Sequence, residues 1–207
     1  WLSSAASDVY KRQDFLPYVS SNLSGSREKF YDRLNYNSAK FNYGIGVNIE
    51  LNKNLSLEAT LNPDFSQVEA DVTKIDINSP TAINYPERRP FFNRGIDVLD
   101  YTMDVIYSRS INNPSFASKI INRGKKSRVY MLTAIDQDSP YIVPTQFESF
   151  SGLGGKSFNN ILRYQNIINP NIQVGALATN RLYEGDAYGN LIGPVSYTHL
   201  RAHETVS

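Results

Sequence analysis

The sequence predicts an all-β fold: an antiparallel up-and-down meander forming part of an outer-membrane type β-barrel, with about seven strands visible and a long loop inserted at 63–115. Three observations lead there. Apolar and polar residues alternate over segments of about ten residues, the period of a strand with one apolar face rather than of a helix. Tight turns alternate with long connections, which in a meander puts every short turn at one end of the sheet and every long loop at the other. Aromatic residues stand toward strand ends on the long-loop side, where an interfacial girdle would lie. A soluble β-sandwich shares the alternation, but its strands usually have about five or six residues.

In chain order, 15–20 is a short strand whose expected partner is 41–51. The latter is the clearest segment: Phe41, Tyr43, Ile45, Val47, Ile49 and Leu51 are apolar, and the residues between them are small or polar. Asn52-Lys53-Asn54 forms a turn in which asparagine tolerates a left-handed backbone, and Leu55, Leu57, Ala59 and Leu61 resume the alternation. Strands at 116–123 and 127–136 flank Gly124-Lys125-Lys126, and strands at 158–168 and 172–183 flank Asn169-Pro170-Asn171. Long connections occupy 21–40, 63–115 and 137–157, and another loop begins at Glu184. Strands of about 9 to 11 tilted residues suit a bilayer. Phe41, Tyr43, Phe116, Phe158 and Tyr183 are the expected girdle.

Residues 1–13 and 195–207 resemble translated sequencing-library adapter, which leaves 14–194 as the partial barrel domain. Both histidines, His199 and His203, and the sole tryptophan, Trp1, fall in those ends. The remainder has no Cys, His or Trp, which excludes from it a histidine base, a thiolate nucleophile and a zinc site of the His/Cys kind. Setting aside Lys11, Arg12 and Arg201 takes 21 basic residues to 18, and setting aside Asp8 and Glu204 takes 20 acidic residues to 18. Formal neutrality argues against nucleic acid as a partner. No run of about 18 apolar residues is long enough for a transmembrane helix.

The most distinctive stretch is 62–92. It opens with Asn62-Pro63-Asp64-Phe65-Ser66-Gln67-Val68-Glu69-Ala70-Asp71 and closes with Pro86-Glu87-Arg88-Arg89-Pro90-Phe91-Phe92. These blocks resemble the signature of a bacterial family of unknown function. Its members carry a C-terminal outer-membrane β-barrel domain behind an N-terminal domain similar to family 9 carbohydrate-binding modules. The signature falls on Asn62, Pro63, Asp64, Phe65, Gln67, Glu69, Asp71, Pro86, Arg89, Pro90, Phe91 and Phe92. Val105-Ile106-Tyr107-Ser108-Arg109 and Leu16-Pro17-Tyr18 resemble two further family segments, whereas Asn93-Arg94-Gly95 stands where the family usually has Leu-Glu-Gly. The resemblance implies the outer membrane of a Gram-negative bacterium, outer-membrane lipid as a partner, and a glycan bound through the carbohydrate-binding-like domain, which lies outside this stretch.

Two uses of the charges in 62–92 compete. Asp64, Glu69, Asp71 and Glu87 can pair with Arg88 and Arg89, whose guanidinium forks suit carboxylates, as an ion-pair network that fixes the loop inside a lumen. The alternative is an external loop with solvated charges, each pair contributing about 0 to 1 kcal/mol. Pro86 and Pro90 restrict the backbone and Phe91-Phe92 favours burial, so the plug is preferred. Asp64, Glu69, Asp71 and Asp76 match no calcium-loop spacing, so neither a metal nor a cofactor is expected.

Glycoside hydrolysis could be assigned to Asp64 with Glu69 or Glu87, yet any acidic loop offers such pairs. Residues 152–157 superficially resemble a phosphate loop, but Phe150 stands where glycine is required. Arg123, Lys125, Lys126 and Arg128 read as a solvated turn in preference to a lipid-headgroup contact, and Asp97, Asp100 and Asp104 as one face of a short helix. The expected function is membrane anchoring by a carbohydrate-associated envelope protein, with glycan-related binding or passage. The alternatives are an envelope glycoside hydrolase using paired loop carboxylates and a soluble all-β binding module.

Overall fold

The computed structural model describes residues 12–23, 25–27, 33–65, 87–99, 106, 108–144, 149–169, 171–185 and 187–198. Eight long strands form one antiparallel sheet: β1 (Arg12–Asn22), β4 (Lys40–Glu50), β5 (Leu55–Leu61), β6 (Pro114–Arg123), β7 (Ser127–Asp136), β10 (Ser157–Asn169), β11 (Ile172–Tyr183) and β12 (Tyr188–Thr198). They lie side by side in chain order, so the sheet is a meander, and it is open, with β1 and β12 at its edges. Two ribbons sit within long connections: β2 (Gly25–Ser26) with β3 (Asn35–Tyr36), and β8 (Pro140–Pro144) with β9 (Ser149–Leu153). Between β5 and β6 stand two single-turn helices, α1 (Pro90–Asn93) and α2 (Ile96–Leu99), and a 3-10 turn at Ser108–Ser110.

The expected strands form with small shifts at their ends. The first is longer than its apolar run, because Arg12 to Asn22 all pair against β4. The eighth strand replaces the loop expected from Glu184. Between β11 and β12, Tyr183 N–H donates to Ala187 O at 2.8 Å and Gly185 takes φ +100°. Gly189, Gly193 and Pro194 hide the alternation of β12, and an edge strand tolerates proline, which supplies no N–H to the ladder.

Register assigns the two faces. One carries Phe15 and Val19 of β1, Phe41, Tyr43 and Val47 of β4, Leu57 of β5, Ile120 of β6, Met131 and Ile135 of β7, Leu162 of β10, Val174 of β11 and Ile192 of β12. This face is uncovered: Phe41 is 70%, Tyr43 75% and Ile192 83% exposed. Four of its polar residues lie in one row across neighbouring strands. Thr133 Oγ1 donates to Asn160 Oδ1 at 2.9 Å, Asn160 Nδ2 to Asn180 Oδ1 at 3.4 Å, and Asn180 Nδ2 to Asn190 Oδ1. Tyr183 departs from the expected girdle. Its register puts it on the opposite face, where its hydroxyl accepts from Arg181 Nη1 at 3.3 Å.

The other face is covered by the chain between β5 and β6. Phe92, Val98, Leu99 and Ile111 of that connection are buried against Ala117, Ile121, Tyr130, Leu132, Ala134, Ile161 and Leu177 of the sheet. The same face holds buried Asn48, Glu58, Thr60, Lys119, Asp136, Asn159 and Arg163. Small residues let the covered strands pack closely. A Cβ on Gly44 would stand 2.3 Å from the Tyr18 hydroxyl, so the tyrosine of β1 lies across its glycine partner on β4.

Candidate functional site: a charged interior beneath the inserted segment

Local sequence explains how the covering segment turns. Asn62 ends β5 in the left-handed region (φ +47°), donating its side-chain amide to Tyr43 O and its N–H to Ser115 O, both at 2.7 Å. Pro90 begins α1, where a missing N–H is harmless. Gly95 separates the two helices at φ +89°, and a Cβ there would stand 2.5 Å from Ile121 Cδ1. Both the backbone and the space therefore require glycine.

Glu87 and Arg89 form an enclosed ion pair, each side chain 3% exposed. Arg89 Nε donates to Glu87 Oε1 at 2.9 Å and Nη2 to Oε2 at 2.8 Å, a bidentate fork. Arg89 Nη1 reaches Ile111 O at 2.6 Å and Nη2 reaches Ser108 O at 3.0 Å, while Ser108 Oγ donates to Glu87 Oε2 at 2.6 Å. The guanidinium lies 4.2 Å from the Phe92 ring centre and 5.2 Å from that of Phe65. Burial alone would raise the Glu87 carboxyl; the hydrogen bonds and charge of Arg89, with the Ser108 hydroxyl, outweigh it and hold the group below its ordinary value.

A second anchor rises from the sheet. Lys119 Nζ sits 3.1 Å from Glu58 Oε2 and donates to Arg94 O at 2.7 Å and to Phe91 O, so one ammonium clasps the end of α1. Glu58 and Lys119 are direct cross-strand partners, and Arg94 Nη1 adds a 3.2 Å contact to Glu58 Oε1. Farther along, Arg123 forks onto Asp97 at 2.7 and 3.0 Å, and its hydrogen bonds hold that carboxyl below the usual range despite partial desolvation.

Toward β10 and β11, Asp136 accepts from the backbone N–H groups of Asn112 (3.0 Å) and Asn113 (2.6 Å) and from Ser139 Oγ (2.7 Å). Ser139 and Ser157 share a hydrogen bond, and Asn159 Nδ2 donates to Ser157 Oγ at 2.8 Å. Arg181 donates to Asn159 Oδ1 and Ser110 Oγ beside a shallow pocket of about 210 Å³ with Ile106, Ile111 and Ile161 in its wall.

Of the residues singled out in the sequence, the structure joins Glu87 to Arg89, sets the rings of Phe65 and Phe92 against that guanidinium, and turns Phe91 edge-on to Phe92 beneath the Lys119 ammonium. Arg88 and Asp64 are exposed. Pro63 lies beside Asn62 at the start of the connection. Gln67, Glu69, Asp71, Asp76, Pro86, Asp100 and Asp104 lie outside the described residues. Glu87, offered above as a hydrolytic carboxyl, has both oxygens occupied by Arg89 and Ser108. Glu58, Lys119, Asp136, Asn159 and Arg181 escaped the sequence reading. Glu58 lies on the face opposite the apolar residues of β5, but Lys119, Asp136, Asn159 and Arg181 share their face with buried Ile121, Leu132, Ile161 and Leu177, so strand alternation did not mark them.

Fold and site define a class: an open antiparallel meander whose uncovered face is largely apolar and whose covered face mixes an apolar core with buried charges, with an inserted segment packed and ion-paired onto it. The chain belongs to the family described as Domain of unknown function (DUF5916), which it matches over residues 11–133, from β1 through most of β7. No curated protein and no solved structure matches it.

Proposed function

We propose that the chain is the wall of an outer-membrane β-barrel that anchors a carbohydrate-associated envelope protein, with the inserted segment as a plug on the lumen side. One observation carries this: the covered face buries charged side chains among its apolar core while the opposite face leaves large apolar side chains uncovered. Water-soluble sheets bury apolar residues and solvate polar ones, whereas here charged side chains are buried under the segment and Phe41, Tyr43 and Ile192 are uncovered. An apolar band outside and a polar lumen inside is the pattern of a membrane barrel. The row from Thr133 to Asn190 supports the same assignment, because its side chains bond to one another and need no water.

The carbohydrate association rests on the family resemblance of 62–92, with the glycan handled by another domain of the parent protein. The test is flotation of the refolded full chain with phosphatidylcholine vesicles, followed by protease digestion. Stable flotation with protected β-strands is expected. A chain that stays in the aqueous fraction, folded and monomeric, refutes the membrane assignment.

A further inference from the structure

The short connections meet along one rim of the sheet. Arg123 N–H donates to Asn54 O at 2.7 Å and Ile167 N–H to Lys126 O at 2.8 Å, so backbone hydrogen bonds lace the β4–β5 and β6–β7 turns to each other and to the end of β10. This brings Lys53, Lys125 and Lys126, all exposed, to one edge. Asp97 engages Arg123 and also acts on Arg128, whereas Lys53, Lys125 and Lys126 make no ion pair among the described residues. The other carboxylates of this rim are Asp14, paired with Arg12 at 3.3 Å, and exposed Glu50, which leaves the rim net positive. The uncovered apolar face runs up to it, ending in exposed Ile168 and Ile172.

We propose that this rim binds anionic phospholipid headgroups, the lysines reaching the phosphates while the acyl chains lie against Ile168, Ile172 and the face beyond. The proposal rests on the membrane assignment above and names the lipid class that assignment leaves open. Charge complementarity argues for it: a lysine's long apolar stem can follow the hydrocarbon edge while its ammonium stays at headgroup level. Each basic residue at such a surface favours anionic lipid by about fivefold.

The experiment compares partition of the full chain into vesicles of phosphatidylcholine and of phosphatidylcholine with phosphatidylglycerol, by flotation at low salt. The wild type should prefer the anionic vesicles and lose that preference at high salt. Replacing Lys53, Lys125 and Lys126 together by Gln should lower the preference on the order of a hundredfold. Lys156→Gln, on the connection at the opposite end, should leave it unchanged. Equal entry into both lipids, or a triple variant that keeps the wild-type preference, overturns the rim assignment while the membrane assignment stands. Displacement by inorganic phosphate at matched ionic strength also overturns it, by assigning the rim to a free anion. Failure to enter either vesicle overturns both.

Discussion

Replacing Arg89 by Met removes the guanidinium and keeps much of the side chain's apolar volume over Phe92. Four side-chain hydrogen bonds disappear: two to Glu87, one to Ile111 O and one to Ser108 O. Glu87 then remains buried with its Ser108 bond but no cation. Breaking one side of a buried pair costs about 3 to 5 kcal/mol, so the open form of the segment should become at least about a hundredfold more populated. Chymotrypsin reports this directly, since Phe91, Phe92 and Leu99 are its sites and Arg89 is not.

The double variant Glu87→Gln/Arg89→Met should be less destabilised than the two single changes summed, with a coupling of about 1 to 3 kcal/mol. The pH dependence fixes the sign. The folded-state carboxyl of Glu87 is depressed, so the pair's contribution is complete above the ordinary glutamate value and fades as pH falls through the folded value. In the Arg89→Met chain the lone buried carboxyl is pushed upward, so acid relieves its penalty. The gap between wild type and variant should therefore narrow toward low pH. Wild-type cleavage rates for Arg89→Met at neutral pH, or a gap that widens in acid, would refute the enclosed pair.

Three further outcomes follow from the geometry. Lys119→Met should destabilise the chain by about 3 to 5 kcal/mol in urea titrations, because Glu58 and the Phe91 and Arg94 carbonyls lose their shared ammonium. Ile120→Arg, on the uncovered face between Leu57 and Met131, should reduce vesicle insertion by about 2 to 4 kcal/mol, whereas an aqueous sheet would tolerate it. Gly175→Ala should weaken the β10–β11 pair by about 1 to 3 kcal/mol, measured by hydrogen exchange, since its Cβ would stand 2.1 Å from Tyr164 O.

Where alternation was strict the sequence was sufficient. The run 41–51 could place its apolar residues together only as a strand, and its pairing with β5 followed from the short turn at 52–54. It failed where glycine and proline diluted the period, as in β12, and where a connection formed its own ribbon, as in β8 and β9. The site was less legible. The sequence offered Glu87 and Arg89 only as members of a wider network of four carboxylates with Arg88 and Arg89, and nothing local distinguished the fork that forms. The Lys119–Glu58 pair is 61 positions apart in the chain, and no local pattern reports which strands will become neighbours. Tyr183 was misplaced by a single step of register, which in a strand exchanges one face for the other.

The hydrogen bond from Asn62 N–H to Ser115 O, at the foot of the excursion between β5 and β6, separates two tasks. The chain leaves the sheet and returns to it at adjacent points, since Leu61 pairs with Phe116, so the strand ladder closes independently of what is strung between. Doubling or halving such an excursion changes its closure entropy by only about 0.6 kcal/mol. The ladder between β5 and β6 can thus close whatever the excursion contains, so a different excursion would change what covers this face while leaving the sheet itself intact.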